Sequence, residues 1–163
     1  GRLKTEAMEK RILDINPEAR VNCINKFVLP ENIDEFDFSA YDYVADAIDT
    51  VSGKLAIIEK AYAEGVPVIS SMGTGNKLDP SKLKITDITK THTCPLAKVI
   101  RTELKKRNIK KLDVVWSDEL PIKPKSDTEL NFGGRPSPSS MCFVPATAGL
   151  LAGAYVVNKI ISK

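Results

Sequence analysis

The 163-residue sequence predicts an α/β fold, a sheet flanked by helices. Short apolar, partly β-branched segments alternate along the chain with longer segments of helical periodicity, as in α/β proteins. One short segment, Val66–Ser70, is apolar and free of charge, which is typical of a buried strand. This length accommodates one domain with a real core, so we expect residues 1–163 to form a single domain.

The first half of the chain begins with a predicted helix at Leu3–Asn16, where apolar side chains recur at helical spacing before Pro17 ends it. A loosely alternating strand is predicted next, and the following residues to Phe38 favour a short helix or loop. A strand that ends in aspartates then leads into a second helix, which Gly65 ends. After the first helix, the elements predicted up to residue 70 are the strands Val21–Val28, Tyr41–Ile48 and Val66–Ser70 and the helix Thr50–Glu64.

The second half continues the alternation after a glycine-containing loop at 72–80. Two further strands, Leu83–Ile88 and Leu112–Trp116, enclose a helix at Cys94–Asn108. Residues 120–140 hold four of the ten prolines and a Gly-Gly pair, so we expect a long crossover loop there. The last helix, 143–162, is apolar on most sides and is therefore expected to be well buried.

Composition narrows the classes of protein. A hydrophobic content of 42% and a charged content of 28% are ordinary for a soluble globular protein. The longest apolar stretch is too short and too rich in Gly and Ala for a membrane span, and no secretory signal is visible, so a cytoplasmic protein without membrane contact is expected. Three widely spaced cysteines without a CxxC pair argue against a zinc ribbon. The net charge of +3 neither requires nor excludes a nucleic-acid partner.

The aspartates at the end of the second predicted strand are the leading candidates for a functional site. Ligands bind at the carboxyl ends of strands in open α/β sheets, and Asp49 there could hold Mg²⁺. The alternative is that Asp49 caps the next helix. Asp46 lies deeper in the strand and is more readily a structural residue. Lys4 could serve as a mobile charge for phosphate or could simply be a solvated surface lysine.

Three further segments allow two interpretations each. Gly73 and Gly75 permit close approach of the backbone to a ligand or an ion, or they form a plain connection. Cys94 precedes a helix and could be a reactive thiolate with His92 as base, but a loop cysteine without chemistry is the favoured interpretation. A basic stripe on the third long helix fits RNA phosphates or a solvated face. Its members are Lys98, Arg101, Lys105, Lys106, Arg107, Lys110 and Lys111.

Taken together, these motifs resemble the E1-like adenylating enzymes, which include ubiquitin-activating enzymes and bacterial activators of sulfur-carrier proteins. Within that superfamily the chain is most similar to the dehydratases that cyclise threonylcarbamoyladenosine at position 37 of tRNA. The segments that carry the resemblance run in order along nearly the whole chain: Lys4–Met8, Arg11–Pro17, Val44–Lys54, Ser71–Gly73, Asn76–Pro80, Asp87–Ile88 and Pro95–Ala97.

The resemblance implies a Rossmann-like sheet of the E1 type and an ATP-dependent adenylation of a carboxylate. It implies that Asp49 binds the Mg²⁺ of ATP, that Lys4 contacts the nucleotide, and that the backbone of Asp46, Ala47 and Ile48 lines the adenine side. A monovalent cation near Gly73–Asn76 is a further expectation. The implied partners are tRNA, a sulfur-relay or carrier protein, and a second copy in a homodimer.

The chain departs from the family pattern because no glycine-rich phosphate loop occurs in it. It also starts at Gly1, directly inside a helical pattern. We therefore expect it to be the C-terminal portion of such an enzyme and to be inactive alone. Two alternatives stay open at this point: an activator of a ubiquitin-like carrier, in which Cys94 could accept a thioester, and a non-catalytic module that binds RNA or protein.

Overall fold

A computed structural model describes residues 1–123 and 138–162. Most of the predicted loop at 120–140 lies outside these residues. The described chain contains a four-stranded sheet and four α-helices, so the predicted α/β class is confirmed. The helices are α1 (Lys4–Ile15), α2 (Val51–Ala63), α3 (Pro95–Lys106) and α4 (Phe143–Ile161), and the strands are β1 (Val44–Asp46), β2 (Val68–Ser71), β3 (Leu83–Asp87) and β4 (Asp113–Ser117).

The sheet has the spatial order β1-β2-β4-β3. Strands β1, β2 and β4 are parallel, with Ala45 opposite Ile69 and Ser70 opposite Val114. The edge strand β3 runs antiparallel to β4, with Ile85 opposite Val115. Because the three parallel strands share one direction, their carboxyl ends lie along one edge of the sheet. That edge is hereafter called the carboxyl edge.

Helices cover both faces of the sheet. On one face, α2 and α3 pack over a core that includes Ile58, Ile100 and Val114, all without solvent exposure. On the other face, Val144 and Ala148 of α4 pack on side chains of the sheet. The α/β alternation in the sequence therefore produces three layers: α2 and α3, the sheet, and α4. The strands of the middle layer are short.

Residues 21–28, which alternation favours as a strand, are not a strand. The one backbone hydrogen bond recorded inside this segment joins the Lys26 amide to the Ile24 carbonyl. An extended segment becomes a strand only when a neighbour accepts and donates its backbone hydrogen bonds. No strand lies beside this segment in the described part of the chain, so the prediction is wrong.

Helix α4 is exposed rather than well buried. Only Val144 and Ala148 are buried, whereas Leu150 is 74% exposed and Ile161 is 73% exposed. Strands of three to five residues span about 10–17 Å, but the 19 residues of α4 span about 28 Å. The sheet is therefore too short to cover the helix, and it covers one face only.

Among the residues that the structure describes, α4 is the single helix long and apolar enough to cross a membrane, by length and composition only. The expectation of a protein without membrane contact stays a prediction.

Candidate functional site

The residues at the ends of the three parallel strands form the candidate site. Asp46 ends β1, Ser71 ends β2 and Ser117 ends β4, so these residues lie along the carboxyl edge. Helix α2 starts five residues after Asp46 and brings its first turn to the same edge. The position agrees with the general rule that ligands bind outside the carboxyl ends of strands in α/β sheets.

A buried polar network lies directly beneath this edge. The Lys54 ammonium donates to Asp46 Oδ2 at 2.7 Å, to Ser70 Oγ at 3.1 Å and to the Ser71 carbonyl at 3.0 Å. The Ser70 hydroxyl donates to the same Asp46 oxygen at 2.5 Å. Lys54, Asp46 and Ser70 are all buried, so these bonds replace the water that the charged groups lose.

The second oxygen of Asp46 accepts a hydrogen bond from the Ile48 amide at 3.1 Å, which folds the chain back after β1. The Asp46 carboxylate is therefore fully engaged inside the protein. Of the predicted nucleotide-binding segment, Ala47 is exposed and Ile48 is half-buried.

Asp49 differs from Asp46 in being exposed. The residue that caps α2 is Thr50, so the structure does not support Asp49 as the helix cap. Within residues 1–123 and 138–162, no hydrogen bond or ion pair is recorded for the Asp49 carboxylate. A free carboxylate at the carboxyl edge fits a hard divalent cation, which prefers oxygen ligands. The start of α2 beside it favours negatively charged ligands such as phosphates.

Lys4 is the first residue of α1 and is exposed. Helix α1 has no buried residue and makes few contacts with the sheet. No bond between Lys4 and Asp49 is recorded in the described residues. The structure therefore shows both side chains to be accessible but does not bring them into contact.

The loop after β2 is fixed by contacts with residues from later parts of the chain. A Cβ atom on Gly75 would lie 2.9 Å from the Pro138 side chain, so the close approach at this glycine is made by Pro138. A Cβ atom on Gly73 would be in ordinary contact with the Cys94 sulfur at 3.6 Å. Asn76 has a φ of 58° and binds Ser139 through its amide and its side chain.

Lys77, in the same loop, is fully buried, and its ammonium donates to the Ser117 carbonyl at 3.2 Å. Loss of solvent lowers the pKa of Lys77, and this effect is opposed by the nearby Cys94, Glu119 and Asp118. Lys77 and Lys54 thus place two buried lysines at the carboxyl edge.

Cys94 caps α3 and lies in the core, with only 4% of its surface exposed. The His92 ring packs edge-on against Trp116, with ring centres 4.7 Å apart, and the Trp116 indole donates to the His92 carbonyl at 2.9 Å. No bond between the thiol and the imidazole is recorded among the described residues. This geometry agrees with the interpretation of Cys94 as a cysteine without a catalytic role.

The predicted basic stripe on α3 divides into paired and free charges. Arg101 donates to the Thr91 carbonyl and hydroxyl. Arg107 pairs with Glu59 and Glu103, and Lys106 pairs with Glu103. In the described part of the chain, four exposed lysines of the stripe have no recorded carboxylate partner: Lys98, Lys105, Lys110 and Lys111. The available positive surface is therefore smaller than the sequence suggests.

Sequence reasoning missed the buried lysines and Ser70. One signal was present for Lys54, because it shares the apolar stripe of α2 with Ile57, Ile58 and Ala61 at helical spacing. A charge on an apolar stripe, following a strand that ends in aspartate, indicates a buried ion pair. Lys77 lies in a loop and gives no such signal.

The family model of the ThiF family matches residues 1–162. The chain therefore belongs to the ThiF family, and the predicted E1-like resemblance is confirmed. It is 41% identical to the tRNA threonylcarbamoyladenosine dehydratase of Bacillus subtilis, over 99% of this chain and 67% of that protein. It is 38% identical to the Escherichia coli enzyme of the same name, over 78% of this chain and 50% of that protein.

Solved structures agree with this relationship. The E. coli dehydratase TcdA in complex with AMP aligns with a TM-score of 0.84 and 32% identity, over 98% of this chain and 64% of that one. The complex of the same enzyme with ATP aligns with a TM-score of 0.83 over the same shares of the two chains. The chain thus spans half to two thirds of the length of these relatives.

Proposed function

We propose that the protein containing this chain is an ATP-dependent tRNA threonylcarbamoyladenosine dehydratase. The carboxylate of the threonylcarbamoyl group at position 37 attacks the α-phosphate of ATP, and pyrophosphate leaves. A nucleophile of the same group then attacks the activated carbonyl, AMP leaves, and a ring closes with net loss of water. The names of the relatives and the nucleotide complexes of TcdA support the substrate and the cosubstrate.

The observation that carries the proposal is the free carboxylate of Asp49 at the carboxyl edge, beside the start of α2. We propose that Asp49 holds Mg²⁺, which would neutralise charge on the phosphates as pyrophosphate leaves. Lys4 would add a positive charge to the same phosphates. The backbone of Asp46 to Ile48 would line the adenine side. No covalent protein intermediate is required, which agrees with the burial of Cys94.

Replacing Asp49 tests the metal role. Asp49→Ala in the full-length protein should reduce ATP–pyrophosphate exchange by at least about 100-fold, because the ligand that orients the metal is removed. Asp42→Ala is the matched control, since Asp42 is also exposed and lies before β1 in the chain. Exchange should be measured alongside thermal unfolding. Near-normal exchange by a folded Asp49→Ala protein would refute the metal role.

We propose that tRNA contacts α3 through Lys98 and Lys105, the exposed basic residues within this helix that no recorded carboxylate neutralises. Reversing both charges should weaken tRNA binding and reduce its salt dependence by roughly one unit of slope for each lost phosphate contact. ATP affinity should stay unchanged.

The control for this surface is the double reversal of Lys10 and Lys90, both exposed on other parts of the chain. It alters the net charge by the same amount. Equal weakening by the two double variants would show a general charge effect and remove α3 from the RNA surface.

We also propose a monovalent cation near Gly73–Asn76. If it binds there, the thermal unfolding temperature should be higher in potassium chloride than in choline chloride at equal ionic strength. A homodimer, a sulfur-relay partner and a cytoplasmic location are also retained as predictions. Burial of Cys94 favours the dehydratase over the carrier-activating alternative, because a thioester acceptor must be reached by its partner.

A further inference from the structure

The ammonium of Lys54 is completely withdrawn from solvent, yet each of its three N–H groups has an acceptor. These are a carboxylate oxygen of Asp46, the hydroxyl of Ser70 and the carbonyl of Ser71. The acceptors belong to β1 and β2, while Lys54 belongs to α2. One side chain therefore joins three elements at the point where the candidate nucleotide site begins.

Stability alone does not account for such a pair. Withdrawing two charges from water costs several kcal/mol for each ion, and well-packed apolar residues of similar volume often serve stability equally well. Buried ion pairs can instead fix one arrangement of the chain among several. The arrangement fixed here is visible in the bonds that Asp46 makes.

The Asp46 carboxylate connects the lysine to the turn after β1. Its Oδ2 accepts from Lys54 and Ser70, while its Oδ1 accepts from the Ile48 amide. Downstream, the Lys54 amide donates to the Thr50 carbonyl at 2.9 Å in the first turn of α2. Asp49 thus lies between Ile48, whose amide is bound to the ion-paired Asp46 carboxylate, and Thr50, where the backbone hydrogen bonds of α2 begin.

From these contacts we infer that Lys54 is a positioning residue for Asp49, acting through Asp46 and the turn at Ile48, with Ser70 as a supporting contact. The inference rests on the proposed role of Asp49 in binding Mg²⁺–ATP. Lys54 itself touches neither metal nor nucleotide. Its effect is to restrict the Asp49 carboxylate to one position before the metal binds. Less conformational freedom is then lost on binding.

The test is a thermodynamic cycle on the full-length protein, with Mg²⁺–ATP affinity measured by calorimetry. The double variant Asp46→Asn/Lys54→Met removes both charges and so leaves no unpaired buried ion. We expect its dissociation constant for Mg²⁺–ATP to rise about tenfold, as is usual when groups that orient a metal ligand are lost. The rise should be larger for Mg²⁺–ATP than for ATP without Mg²⁺.

The decisive comparison adds Asp49→Ala to that double variant. If Lys54 acts through Asp49, the triple variant binds Mg²⁺–ATP as weakly as Asp49→Ala alone, because the positioned group is already gone. Losses that simply add would overturn the inference. An unchanged affinity in Asp49→Ala alone would instead refute the proposed metal role, so the two failures are distinguishable.

Ser70→Ala provides a milder version, which removes one hydroxyl from the network and keeps the ion pair. It should raise the same dissociation constant by a few-fold, in the same direction, with a normal circular dichroism spectrum. Should the double variant not fold, this variant decides. An unchanged Mg²⁺–ATP affinity in folded Ser70→Ala would overturn the inference.

Discussion

Two buried lysines at the carboxyl edge differ in how fully their charges are compensated. The ammonium of Lys54 has three acceptors, including a carboxylate, whereas the bond recorded for Lys77 goes to the Ser117 carbonyl. Burial lowers the pKa of Lys77 below its value in an unfolded chain, so the folded protein releases this proton first as the pH rises.

This difference predicts a pH dependence of stability. Between the lowered pKa and the unfolded value of about 10.4, the unfolded chain binds more protons at Lys77, so the free energy of unfolding gains a rising contribution with pH. Lys77→Met should remove that rise and should raise stability at neutral pH. The check is urea unfolding at several pH values, with Lys90→Met, an exposed site, as the control. An unchanged pH profile in Lys77→Met would contradict the prediction.

Tyr155 predicts an effect of the opposite sign. Burial and its hydrogen bond to Asp113, at 2.6 Å, raise the pKa of the Tyr155 hydroxyl. Stability from this group is fully present below the unfolded pKa of about 10 and is lost as the pH rises through the folded value. Tyr155→Phe should cost about 1–3 kcal/mol at neutral pH, because a hydrogen bond to a charged group is removed. The check is the free energy of unfolding in urea at neutral pH. An unchanged value in Tyr155→Phe would show that the hydrogen bond to Asp113 does not contribute to stability.

The aspartates of the candidate site were predictable at this scale, and so was the burial of Lys54, but the contacts of Lys54 with β2 were not. Asp46 and Asp49 lie at the end of an apolar segment, and Lys54 lies on an apolar stripe, and both are local patterns. The bonds of Lys54 to Ser70 and Ser71 depend on where β2 places these residues, and that placement is not encoded near Lys54 in the sequence.

Among the elements, α2 shows how a single glycine admits a crossing segment. A Cβ atom on Gly53 would lie 2.3 Å from the Val28 carbonyl oxygen, so the segment before Pro30 passes directly over the helix at this residue. The backbone oxygen cannot move away as a flexible side chain could. Gly53 is therefore required by close approach.

Gly53→Ala should destabilise the protein by about 1–3 kcal/mol or more, because the added methyl group overpacks this contact. Gly149→Ala in α4 is the matched comparison, since nothing lies within 4 Å of a Cβ atom there. Alanine in an open helical position should stabilise by about 0.5–1 kcal/mol. Thermal unfolding of both variants measures the difference. Equal effects would show that Val28 does not rest on α2.

The elements that the sequence predicted correctly are those with local signals. Helices α1, α2 and α3 have helical periodicity and end near Pro17, Gly65 and Asn108. Two predictions were wrong, a strand at 21–28 and a buried α4. Both depend on which elements pack beside the segment rather than on the periodicity of its own sequence. A strand requires a neighbour, and burial of a helix requires a surface of matching length, and neither can be read from the segment itself.

For the molecule as a whole, the exposed side of α4 is the largest departure from expectation. The apolar residues Phe143, Leu150, Val157 and Ile161 are each more than half exposed along it, and Lys159 is its one charged residue. If the protein forms the predicted homodimer, this apolar surface is a candidate for the contact between the two copies.

Introducing charge on α4 tests this prediction. Leu150→Glu/Val157→Glu in the full-length protein should convert a dimer into a monomer, measured by light scattering after size-exclusion chromatography. Stability should change by less than about 0.5 kcal/mol, because both side chains are exposed. Leu120→Glu, at a site 71% exposed but outside α4, is the control. A dimer that persists in the double variant would place the interface elsewhere.

Trp116 has a practical consequence for all of these measurements. It is the single tryptophan of the sequence, is 4% exposed, and lies beside Ser117 at the carboxyl edge. Its indole is bound to the His92 carbonyl and rests against the His92 ring. The tryptophan fluorescence of this chain therefore comes from one residue near the carboxyl edge. Its emission reports unfolding directly and can follow ligand binding without any added label.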